Sequence, residues 1–150
     1  MTSAPASTAP ALRGMLETGV YVADLDRACA FYAQVLGLQP MHRDARMAAY
    51  AIAPAQVLLL FLQGSTTTTV RLPGGTIPPH DGHGHTHYAL AIATESLAAW
   101  EAHLHACDVA IEGRTQWPDG GHSVYFRDPD DHLVELATPG LWPNSVSYTH

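Results

Sequence analysis

Positive charge is scarce in this sequence. Seven Lys and Arg stand against 14 Asp and Glu, for a formal net charge of -7. No basic patch is present of the kind that neutralises phosphates, so a nucleic-acid partner is excluded. The same deficit argues against docking on an anionic membrane surface. Cysteine is also scarce. Cys29 and Cys107 are the two in the chain, without CxxC spacing, and both fall on apolar faces of predicted helices. They read as free thiols packed as small hydrophobes, which suits a reducing cytoplasm. Long hydrophobic runs are missing: the longest, residues 57–62, has strand length, far from the ~20 residues that cross a bilayer. Residues 1–10 are rich in Ala, Ser, Thr and Pro and hold no apolar h-region, so no secretory signal is read there. Charged residues make up only 14% of the chain and hydrophobic ones 47%, a globular composition. At 150 residues the chain has the size of one ordinary domain. Histidine, by contrast, is abundant, with ten residues; its imidazole is a frequent metal ligand and proton carrier.

The hydrophobic periodicity repeats. Residues 16–23 read as a strand with the β-formers Val20, Tyr21 and Val22. Asp24 is placed to cap a helix whose stripe is Leu25, Ala28, Cys29, Tyr32, Val35 and Leu36, and Gly37 stops it. Strands are predicted over 39–44, 46–53 and 56–63. Residues 64–84 form a linker with a Thr run, a Pro-Gly-Gly turn and several His, too long to be an ordinary connection. The pattern then restarts. A strand is predicted over 86–93, then a helix capped by Thr94 with Leu97, Trp100, Leu104 and Cys107 on its stripe, then strands over 109–114, 122–127 and 132–137. The last two are joined by a turn at 128–131. The order is β-α-β-β-β twice: a tail at 1–13, a first module at 14–63, the linker, a second module at 85–138 and a tail at 139–150.

Strand side chains alternate between faces. In the first strand, Thr18, Val20 and Val22 suit the helix side, and Glu17, Gly19 and Tyr21 the other. His87, Ala89 and Ala91 take that other face in the strand opening the second module, as do Leu133, Glu135 and Ala137 in the last strand. Each of these strands thus carries one metal-ligand type on the face away from the helices, with Gly19, Ala89 or Ala137 two positions on. Small residues beside the ligand types leave an open floor for a cavity. A carboxylate among apolar neighbours, such as Glu135, needs a partner, which Arg114, Arg127 or a metal ion can supply.

The stretches LETGVYVADLDRACAFYAQVLGL (16–38) and YFRDPDDHLVEL (125–136) resemble the vicinal oxygen chelate superfamily. That superfamily includes glyoxalase I, fosfomycin-resistance thiol transferases, extradiol dioxygenases and bleomycin-binding proteins. The resemblance implies an α+β fold of two βαβββ modules whose strands form an eight-stranded, cup-shaped mixed sheet, often completed between the subunits of a homodimer. It places metal ligands on the first and last strand of each module, here Glu17, Leu59, His87 and Glu135. Leu59 cannot ligate, which leaves Glu17, His87 and Glu135 for one divalent ion. One nitrogen with two carboxylates favours Fe, Mn, Ni, Co or Zn.

These expectations describe a metal-dependent enzyme acting on a small substrate with two adjacent oxygens, by lyase or isomerase chemistry that stabilises an enolate or alkoxide. Glu17, Glu135 and Tyr125 are the candidate catalytic groups, with His122 and His80 as further candidate bases. Tyr21, Arg114, Trp117 and His122 are the candidate substrate contacts. His80, His83 and His85 read as a solvated loop. An iron-dependent dioxygenase is the alternative within the superfamily. A metal-free, bleomycin-resistance-like drug-binding protein is the alternative of another class.

Overall fold

The computed structural model describes residues 8–144. Strand β1 (Glu17–Val22) leads into helix α1 (Leu25–Gln34), then β2 (Gln39–Arg43), β3 (Met47–Ala53) and β4 (Gln56–Leu62). The Asp24 side chain accepts from the Arg27 backbone N–H and caps α1 as expected. Gly37 takes φ +66°, the left-handed conformation that ends the helix. The second module runs β7 (His87–Ala91), α2 (Leu97–Ala106), β8 (Gly113–Gln116), β9 (His122–Arg127) and β10 (Leu133–Ala137). The βαβββ order therefore occurs twice. The eight strands form two four-stranded mixed sheets, in the orders β1-β4-β3-β2 and β7-β10-β9-β8. In each, the first and last strands of the module are parallel neighbours. No helix among the described residues is long and apolar enough to cross a membrane.

Three expectations are corrected. The linker is not devoid of structure: it folds as a hairpin, β5 (Val70–Leu72) and β6 (Gly75–Ile77), turning at Pro73 and Gly74. Thr94 does not cap a helix. It opens a 3-10 turn, and α2 begins at Leu97 after Ser96, whose side chain makes no capping bond. The strand expected over 109–114 begins only at Gly113, because residues 109–112 approach as loop, with Val109 and Ile111 packed against the core.

One core joins the two modules. Val22, Leu60, Leu104, Phe126 and Val134 are fully buried in it, each side chain contributing about 1.5–3 kcal/mol by leaving water. Helix α1 sends Phe31 against Phe126 of the second module. Tyr32 reaches further: its hydroxyl donates to the Asp128 carboxylate at 2.7 Å and accepts from the Tyr88 hydroxyl at 2.7 Å. Asp128 also accepts from the backbone N–H groups of Asp130 and His132, which shapes the turn before β10. Asp131 in that turn adopts φ +62°, a conformation Asp tolerates better than most residues. His132 is a fully satisfied core histidine. Its Nδ1 accepts from the Thr86 N–H at 3.0 Å, and its Nε2–H donates to the Tyr21 carbonyl at 2.7 Å. The faces bearing Glu17, His87 and Ala89 are turned to solvent.

Candidate metal centre

The parallel pairing of β7 with β10 sets Leu133 opposite His87 and Glu135 opposite Ala89. That register lets the His87 ring reach two groups on the neighbouring strand. Nδ1 lies 2.9 Å from the Leu133 carbonyl oxygen, and Nε2 lies 3.3 Å from Glu135 Oε1. A carbonyl can only accept, so Nδ1 carries the proton and the neutral ring presents a bare lone pair at Nε2. That lone pair faces a carboxylate oxygen. The contact is favourable only with a proton on Nε2 or a cation held between the two atoms. Two donor atoms at adjacent positions on an ion with bonds of about 2.1 Å stand roughly 3.0–3.4 Å apart, so the observed separation fits a shared metal. The Nδ1–H bond to a backbone carbonyl is also the usual outer support of a metal-binding imidazole.

Glu135 is buried, with 7% of its side chain exposed, while His87 keeps 49%. The pair therefore opens to solvent on the histidine side. Glu135 Oε2 accepts from the Ser123 hydroxyl at 2.5 Å, and Ser123 Oγ accepts from the Trp117 indole N–H at 2.9 Å. Tyr125 lies directly opposite Glu135 across β9 and β10, with its ring centroid 6.4 Å from that of His87. Of the sequence candidates, His87, Glu135, Tyr125 and Trp117 are thus gathered on one sheet face.

Glu17 and Tyr21 lie elsewhere, on the first sheet. They border a cleft of about 570 Å³ whose walls include Leu59, Phe61, Ile77 and His80. Hairpin β5–β6 supplies one side of it. His80 is not simply solvated, as the sequence reading had it. Its Nδ1 meets the Tyr21 hydroxyl, its ring packs edge-on to Phe61 at 4.7 Å, and Thr66 brackets its backbone with two hydrogen bonds. The small-residue floors are present on both sheets. Gly19 lines the Glu17 cleft, and Ala89, Ala91 and Ala137 line a hollow of about 250 Å³ beside Leu141 and Trp142. Glu17 also borders a crevice with Tyr88 and Ala89 where β1 approaches β7. Even so, no three His, Cys, Asp or Glu side chains among the described residues converge on one metal position.

Three residues named from the sequence fall outside both half-sites. Arg114 pairs with Glu101 of α2 at 2.5 Å and shares a face with Val124, so it points to the helix side and partners neither Glu135 nor a ligand of the metal pair. Arg127 pairs with Glu112 at 2.9 Å, which holds the Glu112 carboxyl below its ordinary range. The alternation of β9 puts His122 on the face of Val124 and Phe126, opposite to Glu135. Ser123 was missed by the sequence reading. Its one signal is a lone hydroxyl two residues before Tyr125 in an otherwise apolar run, on the face that Glu135 shares.

Residues 14–136 match the Glyoxalase/Bleomycin resistance protein/Dioxygenase superfamily. The chain belongs to that superfamily. Two metallothiol transferases FosB are among its relatives. The protein from Shouchella clausii is 28% identical over 129 residues, covering 85% of this chain and 81% of that one. The protein from Bacillus licheniformis is 42% identical over 70 residues, covering 46% of this chain and 44% of its own length. Among solved structures, lactoylglutathione lyase from Agrobacterium tumefaciens superposes with a TM-score of 0.80 at 29% identity, covering 88% of this chain and 98% of that one. Superfamily membership agrees with the two βαβββ modules.

Proposed function

We propose that the chain is a divalent-metal-dependent enzyme that works as a homodimer, with Glu17 of one protomer joining His87 and Glu135 of the other around one ion. The observation that carries this reading is the lone pair of His87 Nε2 facing Glu135 Oε1 at 3.3 Å, with Nδ1 committed to the Leu133 carbonyl. The pair is half a coordination sphere. The missing carboxylate stands on a solvent-facing strand of the other sheet, beside a cleft of substrate size. Pairing copies through their bare sheet faces brings the two halves together and covers both faces at once.

A bound divalent ion supplies Lewis-acid polarisation of two adjacent substrate oxygens. The chain's own groups do the rest. Glu17 would take or return a proton on leaving the ion, and the Tyr125 O–H would donate a hydrogen bond to a substrate oxygen near His87. The Glu17 cleft, walled by Tyr21, Leu59, Phe61 and Ile77, holds the apolar part of the substrate and excludes water. The names of the relatives support one substrate class. One group is named for metallothiol transfer and the other for a glutathione adduct, so a small thiol or its adduct is the class favoured here, in thiol-transfer or lyase chemistry. Iron-dependent dioxygenation is the second reading, favoured by Tyr125 opposite Glu135.

The test is elemental analysis of untagged protein, with His87→Ala, Glu135→Ala and Glu17→Ala beside the parent. The parent is expected to hold about one ion per chain and each variant to lose it. Mixing Glu17→Ala with Glu135→Ala under subunit exchange is expected to restore about a quarter of the sites, since half of the dimers are mixed and each mixed dimer has one intact site. Failure of the parent to retain or regain any of Mn, Fe, Ni, Co or Zn overturns the enzyme reading in favour of a metal-free binding protein.

A further inference from the structure

Behind Glu135 stand two uncharged side chains, Ser123 and Trp117, whose polar atoms form a chain that can run in only one direction. The indole N–H of Trp117 is a donor and nothing else. At 2.9 Å from Ser123 Oγ it obliges that oxygen to accept. The serine hydroxyl has one proton, and its remaining neighbour, Glu135 Oε2 at 2.5 Å, can accept it. The order Trp117 to Ser123 to Glu135 is therefore fixed by the chemistry of its first member. The elements that hold it are rigid. Trp117 follows β8 and is tied by its backbone N–H to the Gly121 carbonyl. Ser123 is 1% exposed in β9, where it pairs with Ala137 of β10, two residues from Glu135. Water does not reach the serine to compete for its bonds.

We infer that Trp117 and Ser123 are positioning residues for the metal centre: they occupy Oε2 and so present Glu135 to the ion through Oε1 alone. The inference rests on the metal-dependent reading above and deepens it. A carboxylate on a flexible glutamate can bind an ion through one oxygen or both, and can rotate between them. Here one oxygen is already spent on a buried hydroxyl. The free oxygen is left 3.3 Å from His87 Nε2, in the register that the β7–β10 pairing sets. Supporting groups behind a ligand typically change metal affinity by about 10–100-fold when removed. The same linkage makes Trp117 a reporter. Its N–H senses the charge on Glu135 through a single intervening oxygen, so an ion bound at Oε1 alters the indole's environment.

The experiment uses the full chain as purified and made metal-free, titrated with Mn(II). Affinity is read from the free-ion EPR signal, and indole emission is followed in parallel. Trp117→Phe identifies which part of the emission change belongs to Trp117. Ser123→Ala is expected to weaken Mn(II) binding about 10–100-fold and to abolish the Trp117 emission change at saturating Mn(II). Ser123→Thr keeps the hydroxyl and is expected to retain both within about three-fold. A structural role alone leaves the emission change of the saturated protein intact. Should Ser123→Ala fail to fold, Trp117→Phe carries the test, with several-fold weaker binding expected because Ser123 Oγ then loses the indole donor that fixes its orientation toward Glu135. A parent that binds Mn(II) while Ser123→Ala, or Trp117→Phe in its place, binds within two-fold overturns the positioning role and leaves the metal centre standing. A parent that binds no divalent ion overturns both.

Discussion

The hydroxyl chain between the two modules predicts an inversion in a mutant series. Tyr32 is fully buried and Asp128 nearly so. The Tyr32 hydroxyl has one proton, which goes to the Asp128 carboxylate at 2.7 Å, and it receives the Tyr88 proton at 2.7 Å. Tyr32→Phe removes a hydrogen bond to a charged group, about 2 kcal/mol, and leaves the Tyr88 hydroxyl unpaired, about 1 kcal/mol more. The expected cost is therefore about 3 kcal/mol. Tyr88→Phe loses one neutral bond and should cost about 1 kcal/mol. In the double variant the stranded hydroxyl is gone, so its cost should be about 2 kcal/mol, less than that of Tyr32→Phe alone. With a urea m-value of about 2 kcal/mol/M, the midpoints fall by roughly 1.5, 0.5 and 1 M in that order. Equilibrium urea unfolding of the full chain, followed by far-UV circular dichroism, measures all three. Costs that simply add to about 4 kcal/mol would refute the argument that the two hydroxyls act as one directional chain.

Burial, aided by the Asp128 charge, pushes the hydroxyls of Tyr32 and Tyr88 well above the ordinary tyrosine range. With folded values raised, their contribution is complete below about pH 10 and declines as pH rises past it, by about 1.4 kcal/mol per pH unit for each tyrosine. Urea midpoints between pH 8 and 11 should fall steeply in the parent and much less in the Tyr32→Phe/Tyr88→Phe variant. Gly82 packs flat on the Tyr21 ring, and a Cβ there would fall inside the ring's van der Waals envelope. Gly82→Ala should displace residues 80–82 from the Glu17 cleft and speed proteolysis of the 64–86 segment, while leaving the urea midpoint within about 0.5 kcal/mol of the parent in free-energy terms. Unchanged proteolysis would mean that the segment is not held by Tyr21.

The site was legible as a face and not as a place. Alternation identified the strand faces that carry Glu17, His87 and Glu135 because each interrupts an apolar run with a polar, ligating side chain. Period 2 reports which side of a strand a residue occupies, but it does not report which sheet lies opposite. That is why Glu17 emerged on one sheet and the His87–Glu135 pair on another. Arg114 failed for a related reason. Residues 109–112 are loop, so alternation counted from 109 does not give the face of Arg114, and the guanidinium went to Glu101 on α2. The β5–β6 hairpin escaped because three-residue strands carry too few alternations to rise above loop composition. Thr94 looked like a cap because it precedes an apolar helical stripe, and nothing in composition distinguishes a cap from the start of a 3-10 turn. Ser123 escaped because serine in a strand is unremarkable until its neighbour across the sheet is known.

The two histidines at the start of β10, His132 just before it and His87 opposite Leu133, show how environment divides one residue type between structure and chemistry. His132 and His87 each have a ring nitrogen fixed by backbone. In His132 both nitrogens meet backbone groups of opposite kind, a carbonyl on Nε2 and an N–H on Nδ1. The neutral ring is satisfied there and has no capacity left, so it ties β1 of the first module to the start of β7. In His87 one nitrogen meets a carbonyl and the other a carboxylate oxygen, both acceptors. A neutral ring has one N–H and cannot serve two acceptors. The second contact must therefore recruit something positive from outside the ring, a proton or a metal ion. The mismatch is local to a single ring, needs no knowledge of substrate, and lies on the half-exposed side of a buried glutamate. It is the strongest reason to regard this face of the second sheet as built for a cation rather than merely left open by the fold.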